Sequence, residues 1–233
     1  MKADIESNMI FFASNGGETP GYLSAPTGKG EHAGIVILQE WWGLVGHIKD
    51  VADRFAREGF VTLAPDLYHG ETADEPNEAR KLAMALDRDR AVGEIAGAAR
   101  YLLENERVQP KKIGVVGWCM GGGLCLSAAA EVEAIGAAVV FYGRPLEAGD
   151  TVKITAPVLG LYGELDQGIP VSMVKDFEAE LEKNSIPHEI NIYPGAQHAF
   201  FNEERPQAFA EDAAEDAWKK TLDWLGEHLA GDK

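Results

Sequence analysis

Apolar and polar residues along this chain change their period repeatedly, and each change marks an element. Residues 9–14 and 20–25 alternate or run apolar between turn residues, which predicts a short antiparallel pair at a sheet edge. Ala33-Gly34-Ile35-Val36-Ile37-Leu38 is a continuous apolar run, the mark of a strand buried on both faces in a parallel sheet. From His47 the spacing becomes helical, with Ile48, Val51, Ala52 and Phe55 on one face and Gly59 as the stop. The alternation then repeats. Strands are predicted over 60–64, 112–117, 137–142, 157–162 and 188–193, and helices over 120–130, 171–183 and 206–229. The segment 78–104 is helical and divides into two helices. Strands alternating with helices imply βαβ units, so the chain reads as α/β: one domain over 1–233, with a mostly parallel central sheet, helices on both faces and an antiparallel N-terminal edge.

Length and composition leave this picture intact. A chain of 233 residues with 45% hydrophobic residues is long enough for one large core, and no linker, repeat or low-complexity run interrupts it. Acidic residues outnumber basic ones, 38 to 21, for a formal charge of −17. That field repels nucleic acid and anionic membranes and suits a solvated surface. The start, Met1-Lys2-Ala3-Asp4-Ile5-Glu6, lacks the apolar region of a signal peptide, and no 18-residue apolar stretch predicts a membrane span. Two cysteines, Cys119 and Cys125, make no disulfide framework, so a reducing, cytoplasmic setting is expected. No metal-binding spacing such as H-E-x-x-H occurs, and neither a metal nor a cofactor is expected.

The chemistry gathers at strand ends. Gly117-Trp118-Cys119-Met120-Gly121 is a G-x-nucleophile-x-G segment between a predicted strand and a predicted helix. The flanking glycines allow a tight, strained turn that lifts the cysteine above the sheet, and the helix behind it points N–H groups at the site. Cys119 alone would also suit a structural cysteine; Cys125, among Leu124, Leu126 and Ala128, reads as core. In a doubly wound sheet ligands collect at the carboxyl ends of strands. There the chain places Glu40-Trp41, Tyr68-His69, Cys119-Met120, Gly143-Arg144, Glu164 to Asp166, and Gln197-His198. The order nucleophile, acid, histidine points to Cys119, Asp166 and His198 as a triad, with Glu164 the competitor for the acid and His69 a possible substrate contact. Glu40 ends an apolar strand beside Trp41-Trp42-Gly43 and reads either as an exposed loop acid or as a carboxylate that restrains the thiol. The N–H groups of Trp41 and Met120 are candidates for an oxyanion hole.

Together, Gln39-Glu40-Trp41-Trp42-Gly43, Ala64-Pro65-Asp66-Leu67-Tyr68, Gly117-Trp118-Cys119-Met120-Gly121-Gly122, Gly163-Glu164-Leu165-Asp166 and His198-Ala199-Phe200-Phe201 resemble the dienelactone hydrolase (carboxymethylenebutenolidase) family from Ile35 to Leu225. The resemblance implies the α/β-hydrolase fold, a Cys119–His198–Asp166 triad, and a Glu40 that takes the thiol proton when substrate shifts it. It also implies two arginines that clamp a substrate carboxylate, but this chain has Gly70 and Asn202 at those places. Arg80, Arg144 and Arg205 are the substitutes within reach, and Tyr68, His69, Arg144 and Arg205 are the expected substrate contacts. The expected activity is hydrolysis of a small lactone or carboxylic ester. A carboxylesterase or thioesterase of the same fold is the rival, and a non-catalytic thiol sensor or binding protein is the rival from another class. The residues leave the oligomeric state open.

Overall fold

The order of elements follows from the apolar runs. The computed structural model describes residues 3–230, so Met1, Lys2 and the last three residues of the expected 1–233 domain lie outside it. Strands β1 (Ile5–Ser14) and β2 (Gly17–Pro26) pair antiparallel over ten residues each. Asn15-Gly16 joins them with φ of 47° and 77°, the left-handed pair that a two-residue hairpin turn needs. The hairpin begins earlier than expected because Glu6, Ser7 and Asn8 are exposed and dilute the apolar pattern.

Six further strands follow: β3 (His32–Leu38), β4 (Val61–Pro65), β5 (Val108–Trp118), β6 (Ile135–Phe141), β7 (Val158–Gly163) and β8 (His188–Tyr193). The sheet order is β1-β2-β4-β3-β5-β6-β7-β8, parallel from β4 to β8 and antiparallel at the β1–β2–β4 edge. Helices α1 (Gly46–Arg57), α2 (Pro76–Ala85), α3 (Arg88–Glu104), α4 (Met120–Glu131), α5 (Ala148–Thr151), α6 (Val171–Lys183) and α7 (Glu211–His228) surround it. The expected pair over 78–104 is α2 and α3, separated where Asp87 accepts the Arg90 N–H as an N-cap. Helix α5 was invisible to periodicity because four residues show no period. The closing helix starts at Glu211, and the expected 206–210 portion is loop.

Two apolar layers sandwich the sheet. Ile95, Leu102, Leu126 and Phe177 from α3, α4 and α6 pack one face. Ile48, Val51, Phe55 and Leu225 from α1 and α7 pack the other. Burial on both faces explains why β3 and β7 read as apolar runs. After β3 the chain winds to β4 on one side; β5 returns to the other side of β3, and later strands continue outward. The order therefore reverses between β3 and β5, and their carboxyl ends open the crevice where such sheets bind ligands. Glu40 follows β3 and Cys119 follows β5.

Candidate active site

Cys119 is the hinge between β5 and α4, with φ 55° and ψ −116°. This backbone region disfavours any residue with a Cβ, so the turn is strained. The surroundings hold it. The Cys119 N–H donates to the Phe141 carbonyl at 3.0 Å, and its carbonyl accepts from Gly123 N–H at 3.2 Å. A Cβ at Gly121 would lie 2.5 Å from the Leu38 and Gln39 carbonyl oxygens, so only glycine lets α4 sit against the end of β3. The Cys119 side chain is half-buried and faces open space, whereas Cys125 is fully buried, where desolvation pushes its thiol well up.

His198 and Asp166 meet across the rim. His198 Nδ1–H donates to Asp166 Oδ2 at 2.6 Å. Asp166 is 3% exposed, and its Oδ1 accepts the N–H groups of Gly168 at 2.8 Å and Ile169 at 3.0 Å. Glu164 instead accepts the Gly195 N–H at the surface. Burial alone would lower the His198 pKa, but the hydrogen bond to Asp166 and the nearby charges of Cys119 and Asp166 outweigh it, and the imidazole is pushed up to about 10. The Cys119 sulfur thus lies within interaction range of the ring, and Asp166 fixes the other nitrogen.

Glu40 is 2% exposed, not the exposed loop acid that its sequence context also allowed. Its Oε1 accepts from Tyr142 Oη at 3.1 Å and its Oε2 from Asn202 Nδ2 at 2.7 Å. Burial raises its pKa, partly offset by those two bonds and the charges of His198 and Arg205. Tyr142, fully buried with φ 40°, packs its ring 5.0 Å from that of His198. Neither Tyr142 nor Asn202 stood out as a functional residue. Tyr142 had one available signal: it is the first residue past β6 on the rim.

The remaining expected residues separate into two groups. Trp41 lies in the turn after β3 and Met120 opens α4; neither N–H has a protein acceptor among the described residues. Tyr68 Oη lies 3.3 Å from both the Trp41 carbonyl oxygen and Met120 Sδ, so it spans the two residues instead of lining the space at the sulfur. His69 turns away, donating from Nε2 to buried Glu94 Oε1 at 2.7 Å. Gly70, with φ 99°, gives its N–H to Asp66. Arg205 stacks 3.8 Å over the Trp42 ring and lines a cavity of about 420 Å³ with Glu40, Cys119 and His198. Arg144 lines a second cavity at the same sulfur, whereas Arg80 is exposed on α2 and lines neither.

A doubly wound sheet with a strained elbow after β5 defines an α/β-hydrolase. Residues 19–229 match the model of the dienelactone hydrolase family, and the chain belongs to that family. It is 35% identical over 229 residues to Protein usf of Aquifex pyrophilus, covering 95% of this chain and 98% of that one. It is 32% identical over 229 residues to a protein provisionally named carboxymethylenebutenolidase in Aquifex aeolicus, with the same coverage of 95% and 98%. The crystal structure of a provisionally named dienelactone hydrolase from Klebsiella pneumoniae superposes with a TM-score of 0.89 at 28% identity, covering 96% of this chain and 99% of that one. The protein is thus a hydrolase of this family. Among the described residues no helix is long and apolar enough to cross a membrane.

Proposed function

We propose that the protein hydrolyses a small lactone or carboxylic ester through a Cys119–His198–Asp166 triad and a thioester acyl-enzyme. The observation that supports this most is the strained Cys119 beside an imidazole whose Nδ1–H is held by buried Asp166 at 2.6 Å. The sulfur attacks the carbonyl carbon and its proton passes to His198. The carbonyl oxygen becomes an oxyanion facing the N–H groups of Trp41 and Met120. Collapse breaks the carbon–oxygen bond, and the departing oxygen takes the proton from His198. Water then gives a proton to His198 and attacks the thioester. The carbon–sulfur bond breaks, the acid departs, and the sulfur regains its proton. Asp166 stabilises the imidazolium formed in both halves.

Glu40 takes a gating role in this reading. Tyr142 and Asn202 hold both of its oxygens, and burial favours its neutral form, so it sets no second negative charge beside the thiolate. Substrate that frees it from these partners would let Glu40 ionise, and the carboxylate would then carry the thiol proton to His198. A free thiol nucleophile is best preserved in a reducing compartment such as the cytoplasm.

Cys119→Ala should abolish hydrolysis of activated esters and lactones, and Cys119→Ser should retain little. Mass spectrometry during turnover should find the acyl group on the peptide containing Cys119. Full activity in the alanine variant would overturn the assignment.

A further inference from the structure

Cys119 is not at the end of one pocket but between two. Trp41, Cys119 and His198 line both a cavity of about 420 Å³ and one of about 250 Å³. The larger is completed by the loop before α7, through Arg205, Gln207 and Ala208. The smaller is completed by Ala83 of α2, Met120 and Gly123 of α4, Tyr142, Arg144 and Ile169. The remaining walls come from different elements, so the two spaces adjoin at the reactive sulfur and extend to different sides of it.

The geometry of the reaction gives this arrangement a meaning. At the tetrahedral carbon, one bond goes to sulfur and one to the oxyanion. The remaining two carry the acyl substituent and the alkoxy group. In a small lactone a ring ties these two together, so they occupy one side of the sulfur. In an open-chain ester they diverge. Ligand sites of about 300–1,000 Å³ hold drug-sized molecules, so the larger cavity alone already suffices for a small ring.

We propose that the smaller cavity is a second substrate subsite, and that the preferred substrate is an open-chain carboxylic ester with one apolar substituent in each cavity. The proposal rests on the Cys119 acyl-enzyme reading above. Sulfur displaces the alkoxy group, which leaves as the alcohol from one cavity while the acyl group stays bound to Cys119 in the other.

The test is a two-armed series of kcat/KM values. One arm lengthens the acyl chain at fixed alcohol: 4-nitrophenyl acetate, butyrate and hexanoate. The other enlarges the alcohol at fixed acyl group: methyl, propyl and benzyl butyrate. δ-Valerolactone is the ring comparator. In the wild type, kcat/KM should rise about tenfold along each arm, the scale of filling an apolar pocket, and should exceed that for the lactone. Ala83→Phe, which plugs the smaller cavity, should flatten or invert one arm. Ala208→Phe, which plugs the larger, should do so to the other. Ile169→Ala enlarges the smaller cavity and should shift the optimum of the Ala83 arm to the bulkier member, a gain that misfolding does not produce. The proposal is overturned if both plugs act on the same arm, if neither arm depends on size, or if the lactone is the better substrate. Cys119→Ala separates the two levels. If it is inactive and the arms do not divide, only the second subsite falls. If it is fully active, the triad falls and the subsite with it.

Discussion

Asp166 and Glu40 are both carboxylates buried to within a few per cent at the carboxyl rim of one sheet, and the chain treats them oppositely. Asp166 accepts three hydrogen bonds, two from the backbone of its own turn and one from His198. Glu40 has only side-chain donors, both neutral: the Tyr142 hydroxyl and the Asn202 amide. Backbone donors cannot swing away, so Asp166 is held fixed against His198. Side-chain donors can, and burial, only partly offset by those two bonds and by the charges of His198 and Arg205, holds Glu40 above the usual carboxylate range. Similar burial at this rim thus goes with two different settings, told apart by the kind of donor facing each acid.

Neutralising each acid in turn should separate the two carboxylates. Asp166→Asn should lower kcat on the order of 10⁴-fold, since the amide favours the wrong imidazole tautomer. Glu164→Gln should be nearly silent, and a reversed outcome would mean that the wrong acid has been named. Asp166→Asn should also pull the imidazole down from about 10, observable by NMR of the ring protons. The sign is fixed. A raised folded-state pKa gives stability fully present below the ordinary imidazole range and lost as pH rises through about 10. That alkaline loss should shrink in the variant.

Glu40→Gln should cost less, about 10²-fold in kcat, on the scale of losing one proton-transfer group. Its stability should respond with a definite sign. A carboxyl raised by burial supports the fold when protonated and loses that support as pH rises through its folded-state pKa. The glutamine variant should therefore gain on the wild type in Tm as pH rises and lose ground in acid. Alkylation of Cys119 by iodoacetamide should diverge from the wild type as pH rises through the range in which Glu40 ionises; unchanged profiles and turnover would reduce Glu40 to a structural acid. Asn202→Ala leaves Glu40 one donor short and should destabilise the fold by about 1–3 kcal/mol in urea unfolding. The smallest effect belongs to Tyr68→Phe. Loss of the hydroxyl between Trp41 and Met120 should lower kcat about fivefold, the worth of about 1 kcal/mol, without changing iodoacetamide alkylation, which forms no oxyanion.

Most of the fold was legible because its signals are local. The run from Ala33 to Leu38, the spacing from Ile48 to Phe55 and the glycines around Cys119 each state their element within a dozen residues. Chain order was enough to nominate Cys119, Asp166 and His198. What escaped was pairing at a distance. Tyr142 and Asn202 reach Glu40 from 102 and 162 residues away, and no periodicity reports such contacts. His69 shows the opposite failure: rim position suggested substrate, but its positive φ of 54° and the Glu94 carboxylate turn it aside. The two-sided space at the sulfur was equally hidden, because its walls come from helices and loops far apart in the chain.

The backbone of Cys119 carries one more consequence. With φ at 55° and ψ at −116°, the position suits glycine, and a residue with a Cβ is held there at a cost of roughly 1–3 kcal/mol. Folding stability alone would therefore favour glycine here. A cysteine at this position trades native-state stability for a thiol at the surface of the crevice.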